Sequence, residues 1–205
     1  MSAIVYVVDD DADVLTALGR SLTADGLRVK LSQGPEQFLQ AYDPTQVGCV
    51  VLDLHMPGMS GLQLQAQLSS RGQEPPLIFL SGSADVASCA SAMRAGAIDF
   101  LTKPVDADIL LAAVERGFEV DTAHRVRHDG ERAACVCYDS LSPREKEVLP
   151  HIVAGRLNKQ IADKLGISLK TTKVHRSRIL QKFGVRSVAD LVRSSELAHI
   201  APAAA

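Results

Sequence analysis

Apolar residues in the first half of the chain form short unbroken blocks. Between the blocks lie longer stretches in which apolar residues recur every three or four positions. Ile4-Val5-Tyr6-Val7-Val8, Leu27 to Leu31, Cys49-Val50-Val51-Leu52, Leu77-Ile78-Phe79-Leu80 and Ile98 to Leu101 read as strands. Asp13 to Ala24 places Val14, Leu15, Leu18 and Leu22 on one helical face. Pro35 to Tyr42, the segment carrying Leu62, Leu64 and Leu68, Asp85 to Ala95 closed by Gly96, and Asp106 to Phe118 read as further helices. Strands that are apolar throughout are buried on both faces, as in parallel sheets covered by helices. With right-handed crossovers, the pattern predicts an α/β domain built on a doubly wound five-stranded parallel sheet.

The pattern changes after Phe118. Residues 119–139 lack strong periodicity and mix charges, so they read as a linker that continues the fifth helix. Residues 140–197 hold no strand-like run and read as four helices: Pro143 to Ala154, Asn158 to Leu165, Leu169 to Phe183, and Val188 to Ser195. The expected organisation is a domain over 1–118, the linker, a small all-α domain over 140–197, and a disordered tail over 198–205. Charge sharpens the division. Residues 1–117 carry 7 Lys and Arg against 14 Asp and Glu, whereas residues 140–205 carry 12 against 5, within a whole-chain net charge of −2. An acidic end suits a metal or cationic partner, and a basic end suits a polyanion. Aromatic residues make up 4% with no Trp, which disfavours an aromatic-lined carbohydrate or single-strand binder. The 4 cysteines are too few for a disulfide scaffold, and Cys135 and Cys137 with Cys49 and Cys89 are poorly spaced for zinc. No apolar run nears the roughly 20 residues of a membrane span, and the start lacks a signal-peptide pattern, so a cytoplasmic protein without membrane contact is expected.

In an open parallel sheet, ligands gather at the carboxyl ends of the strands. Those ends here are Asp9-Asp10-Asp11, Asp53, Ser81-Gly82 and Lys103-Pro104. Clustered carboxylates repel unless a cation neutralises them, and an all-oxygen set favours Mg²⁺, or Mn²⁺. A carboxylate beside a metal and a lysine can attack phosphorus to give an aspartyl phosphate. A dinucleotide-binding domain would need a Gly-rich turn where Asp9-Asp10-Asp11 stands. An aspartate-based phosphatase would place an acid where His55 stands. Asp11 or Asp13 is also placed to cap the first helix.

In the second half, Ser142 with Pro143 opens a helix. Asn158 to Ser168 reads as a short helix, a Gly166 turn and a new cap. The next helix exposes Lys170, Lys173, His175, Arg176, Arg178 and Lys182, and turns Val174, Ile179 and Leu180 to the core. Helix, Gly turn and basic helix make a helix-turn-helix, whose second helix enters the major groove of double-stranded DNA.

Val7-Val8-Asp9-Asp10, Asp53 through Gly61, Ser81-Gly82, and Ala95 through Pro104 resemble a response-regulator receiver domain over residues 3–118. Leu141-Ser142-Pro143-Arg144-Glu145, Asn158 through Ala162, Leu165 through Ser168, and Thr171 through His175 with Lys182 through Val185 resemble a LuxR-type DNA-binding domain. Together they resemble two-component response regulators of the FixJ/NarL subfamily. The resemblance implies that Asp53 accepts a phosphoryl group from a sensor histidine kinase. It implies Mg²⁺ held by Asp10, Asp53 and the His55 backbone carbonyl, with Asp9 acting through water. Ser81 and Lys103 would bind the phosphoryl group, Phe100 would rotate when Ser81 moves, and the Lys103-Pro104 bond would be cis. Lys173, Val174 and Ser177 would approach base edges. Lys159, Lys170, Thr171, His175, Arg176 and Arg178 would meet phosphates or sugars. Phosphorylation would promote a homodimer that binds operator DNA and controls transcription, with RNA polymerase as a further partner. A regulator that binds DNA without phosphorylation and an aspartate-based phosphatase are the alternatives. His55 and Ser83 stand where the attacking water would lie. Two departures from the LuxR-type pattern carry structural expectations. Pro150 should kink the first helix of that domain or end it a turn early, and Thr172, in place of an apolar residue, should loosen the packing of the basic helix.

Overall fold

The computed structural model describes residues 3–82 and 86–203. The element order is β1 (Ile4–Asp9), α1 (Ala12–Ala24), β2 (Arg28–Gln33), α2 (Pro35–Ala41), β3 (Gly48–Asp53), α3 (Gly61–Ser70), β4 (Leu77–Ser81), α4 (Val86–Arg94), β5 (Asp99–Thr102), α5 (Ala107–Asp139), α6 (Pro143–Val153), α7 (Asn158–Leu165), α8 (Leu169–Lys182) and α9 (Val188–Leu197). The chain divides into two compact units, Met1–His124 and Arg125–Ala205.

The first unit is the expected α/β domain. Its five strands are parallel in the order β2-β1-β3-β4-β5. Successive side chains of a strand point to opposite faces, so each central strand feeds two cores. Tyr6, Val8, Val50, Leu52 and Phe79 pack with Phe38 of α2, Leu64 and Leu68 of α3, and Ala92 of α4. Val5, Val7, Val51, Ile78 and Leu80 pack with Leu15, Leu18 and Leu22 of α1 and Leu110, Ala113 and Val114 of α5. Burial on both faces is why these strands show no alternation in sequence. The edge strand differs: β2 starts and ends later than the run Leu27 to Leu31, with Ser32 buried and Leu31 exposed.

The segment read as a linker is helical, because α5 runs without a break from Ala107 to Asp139. Within the first unit, Asp121 is buried and accepts from the Gly48 backbone N–H at 2.9 Å. On the sheet side of α5, a Cβ at Gly117 would stand 2.8 Å from the Cys49 Cβ, so only glycine allows the helix this close to β3.

In the second unit, Leu141, Val148, Leu149, Ile152, Ile161, Ile179, Phe183 and Leu191 form the core. α6 does not end early at Pro150 but continues to Val153. Proline removes one donor, yet buried Leu149 and Ile152 anchor the helix on both sides, and the Pro150 carbonyl accepts from Ala154 N–H at 3.0 Å. The Pro150 carbonyl also accepts from Ala203 N–H at 3.0 Å, and Ile200 packs against the core, so the segment read as a disordered tail is tied down as far as 203. Ala204 and Ala205 lie outside the described residues. Thr172 does not loosen α8: it is fully buried, and its hydroxyl donates to the Ser168 carbonyl at 3.1 Å.

Candidate functional site

β1, β3 and β4 deliver Asp9, Asp53 and Ser81 to one end of the sheet, and Lys103 follows β5. Asp9 and Asp53 are buried, at 1% and 5% exposure, and both reach the same ammonium. Lys103 Nζ donates to Asp9 Oδ2 and to Asp53 Oδ1, each at 2.6 Å. The second oxygens are also engaged: Asp11 N–H donates to Asp9 Oδ1 at 3.0 Å, and His55 N–H donates to Asp53 Oδ2 at 2.7 Å. Burial works to lower the Lys103 pKa, but its hydrogen bonds to Asp53 and Asp9, and their charges, outweigh it and raise the pKa. The ammonium is therefore held charged between two carboxylates. The trio keeps a net charge of −1, which suits an added divalent cation.

Asp10 sits past the strand end, exposed, and its backbone carbonyl accepts from Gln33 Nε2 at 3.3 Å. Asp11 caps α1, accepting from Asp13 N–H at 2.8 Å and Val14 N–H at 3.3 Å. Among the described residues, no group of three His, Cys, Asp or Glu is gathered closely enough to hold a metal by itself. Two convergent carboxylates are still the all-oxygen donors that suit a hard cation retaining several waters. Ser81 is fully buried, and its carbonyl accepts from Lys103 N–H at 2.8 Å. Phe100 is half-buried against Phe79, with ring centroids 6.3 Å apart. The Lys103-Pro104 bond is cis. His55 is exposed, and Ser83 lies outside the described residues.

In the second unit, α7, a left-handed Gly166 and α8 form the expected helix-turn-helix. Ser168 caps α8 by accepting from Thr171 N–H at 3.0 Å. Lys159, Lys170, Thr171, Lys173, Ser177 and Arg178 are exposed. Val174 does not face the core as its spacing predicted. It is 41% exposed, because Thr172 and Ile179 define the buried side of α8 and Val174 lies off that line. His175 and Arg176 are half-buried, and the Arg176 guanidinium donates to Asn158 Oδ1 of α7 at 3.2 Å.

Ser142 opens α6 as its sequence predicts, but the buried carboxylate of Glu145 beside it has no role assigned from the sequence pattern. Ser142 and Glu145 form a capping box, with Ser142 N–H donating to Glu145 Oε2 at 2.9 Å. Lys182 Nζ donates to the same oxygen at 2.7 Å and to the Ser140 carbonyl at 2.8 Å. The adjacent Arg144 donates to the Leu165 carbonyl at the end of α7, at 2.7 Å. The S-x-x-E spacing signals the capping box, whereas nothing local signals a partner 37 residues away. Burial raises the Glu145 pKa, but the bonds from Lys182 and Ser142 overcome it and hold the carboxyl below its ordinary value of 4.5. A depressed carboxyl pKa stabilises the fold above the ordinary value, and this contribution disappears as pH falls through the folded value. Acidification below about pH 4.5 should therefore cost this domain on the order of 1–2 kcal/mol more in wild type than in Glu145→Gln. Denaturant unfolding followed by the Ile161 and Ile179 methyl resonances measures the difference, and equal acid sensitivity in the two proteins would contradict it.

An acidic, lysine-bridged pocket on a five-stranded parallel sheet, with a separate helix-turn-helix unit, defines a receiver joined to a DNA-binding module. Comparison with known families agrees over both parts. Residues 5–115 match the response regulator receiver domain, and residues 139–195 match the bacterial regulatory proteins of the luxR family. The chain is similar to the response regulator protein TmoT of Ectopseudomonas mendocina, with 41% identity covering 95% of this chain and 88% of that one. It is also similar to the transcriptional regulatory protein FixJ of Azorhizobium caulinodans, with 40% identity covering 97% and 94%. The solved structure of the response regulator StyR superposes with a TM-score of 0.84 at 40% identity, covering 96% of this chain and 99% of that one. The chain belongs to the response regulators that carry a receiver domain and a LuxR-type DNA-binding domain, and it is a transcriptional regulator.

Proposed function

We propose that Asp53 accepts a phosphoryl group from a sensor histidine kinase, and that this modification promotes a homodimer with raised affinity for operator DNA. The observation that carries the reading is the Lys103 ammonium shared at 2.6 Å by two buried carboxylates. An Asp53 oxygen attacks phosphorus, the P–N bond to the phosphohistidine of the kinase breaks (a P–O bond when acetyl phosphate is the donor), and the imidazole leaves. Lys103 neutralises charge on the phosphoryl oxygens, and Ser81 supplies a hydroxyl beside them. Mg²⁺ bound by Asp10, Asp53 and the His55 carbonyl, with Asp9 acting through water, would screen the same oxygens. Nothing in this scheme makes the protein an enzyme beyond slow loss of its own phosphoryl group. Its expected place is the cytoplasm, where kinase and DNA meet, and among the described residues no helix is long and apolar enough to cross a membrane.

On the DNA side, Lys173, Val174 and Ser177 form the base-reading face. Lys159, Lys170, Thr171, His175 and Arg178 contact phosphates, and Arg176 does so while braced on Asn158. RNA polymerase is the natural target of a regulator so bound. The test selects duplexes from a randomised pool with acetyl phosphate-treated and untreated protein, alongside sedimentation of both. Treatment should shift monomer toward dimer and enrich one motif by about tenfold or more. Equal enrichment and a monomer in both states would overturn the coupling and favour the phosphorylation-independent reading.

A further inference from the structure

We infer that Glu145 is a positioning residue for DNA recognition: through Lys182 it fixes the C-terminal end of α8. The inference rests on the proposed placement of α8 in the major groove. Lys182 is the last residue of the basic helix, yet it differs from the other lysines there. Lys170 and Lys173 are exposed. Lys182 is exposed too, but its ammonium is anchored on another helix, 2.7 Å from the Glu145 carboxylate and 2.8 Å from the Ser140 carbonyl that precedes α6. Glu145 is 3% exposed, so the carboxylate of this pair is buried while the lysine approaches it from the surface. The preceding residue, Arg144, grips the other helix of the motif by donating to the Leu165 carbonyl at 2.7 Å. One turn of α6 thus holds the C-terminal ends of both α7 and α8.

The apolar contacts of Ile161, Ile179 and Phe183 keep these helices together, but apolar contacts are not directional. Charge-assisted hydrogen bonds are directional. Base readout tolerates displacement of only about 0.5 Å, whereas long lysine side chains can follow a phosphate over a larger range. Releasing the clamp should therefore harm base readout more than general DNA affinity.

Removing Glu145 outright would also strip the α6 cap and confound the test. Glu145→Gln keeps the cap, since Gln serves in capping boxes, and removes the charge. Lys182→Met removes the charge and keeps the aliphatic stem. Lys182→Arg restores the charge. Each full-length variant would be titrated at several salt concentrations, at matched folded concentration, with a duplex selected by the wild type and with a scrambled duplex of the same composition. Glu145→Gln and Lys182→Met should each weaken the selected duplex about tenfold and the scrambled one by less than about twofold. The double variant should be no weaker than the worse single, and Lys182→Arg should approach wild type. Unchanged binding to both duplexes would overturn the inference, as would additive losses. An equal loss on both duplexes with a salt slope smaller by about one would make Lys182 a phosphate contact instead. If the wild type itself selects no sequence, the DNA-binding proposal fails first and takes this inference with it. If the wild type selects but the variants match it, only the positioning role fails.

Discussion

Incubation with acetyl phosphate and Mg²⁺ should add a single phosphoryl group to the wild-type chain and reduce labelling to background in Asp53→Asn. Two buried carboxylates touch Lys103, so Asp9 is the internal competitor. Each has Lys103 on one oxygen and a backbone N–H on the other, and Asp53 is the less buried of the two. Asp9 lies at the end of β1 at 1% exposure, and its outer oxygen is tied to the N–H of Asp11, which in turn caps α1. Asp53 lies at the end of β3 at 5% exposure, with Lys103 on one oxygen and the His55 backbone N–H on the other. That backbone donor orients the carboxylate without neutralising it, which leaves a nucleophile beside the lysine that receives the phosphoryl oxygens. Asn keeps the shape and loses the nucleophile. Asp9→Asn should slow labelling by weakening the metal site, without abolishing it. Intact-mass and peptide spectra read both outcomes, and equal labelling of wild type and Asp53→Asn would remove Asp53 from the proposed mechanism.

The second large effect is expected at Gly61. This residue opens α3, and its N–H donates to the Leu54 carbonyl at 3.0 Å. A Cβ there would stand 2.4 Å from the Asp53 carbonyl oxygen, 2.9 Å from the Phe79 ring and 3.2 Å from the Leu54 Cα. Two of these neighbours are backbone and the third is a fully buried ring, so none can yield cheaply. Gly61→Ala should destabilise the receiver by about 3 kcal/mol through overpacking. Because the clash falls on the Asp53 carbonyl, the molecules that fold should also accept phosphate more slowly. Gly58→Ala in the same loop is the comparison. It has open space around its Cβ and φ of +79°, so it bears only the left-handed backbone cost of about 1 kcal/mol. Denaturant midpoints of the two variants decide the matter, and equal values would show that the close approach is not required.

These two sites differ in how far the sequence revealed them. Asp9, Asp53, Ser81 and Lys103 were legible because each ends an apolar run, and a parallel sheet brings the carboxyl ends of its strands together. The ends of β2 were not, because an edge strand is buried on fewer sides and its pattern Arg28-Val29-Lys30-Leu31-Ser32-Gln33 turns a leucine out and a serine in. The continuation of α5 past Phe118 was foreseen only as one form of a linker, since exposed stretches such as Ala123 to Asp129 carry no apolar stripe. On α8 the spacing assigned Val174 to the core, but the buried line runs through Thr172, whose hydroxyl is hidden by bonding to its own helix. A polar residue satisfied by backbone looks exposed in a sequence. The Glu145–Lys182 pair joins two helices through residues that each look like ordinary surface charges.

The four free thiols extend the use of the fold beyond signalling. Cys135 is exposed, while Cys49 is fully buried against α5, and burial, followed by the charge of Asp121, pushes its thiol up to about 12. At neutral pH that sulfur is almost wholly in its unreactive thiol form. An alkylating reagent can reach it only when α5 lifts from β3, the contact that Gly117 makes so close. Its rate of modification therefore reports how often the receiver core opens, and Cys135 in the same molecule supplies the rate for a thiol that needs no opening.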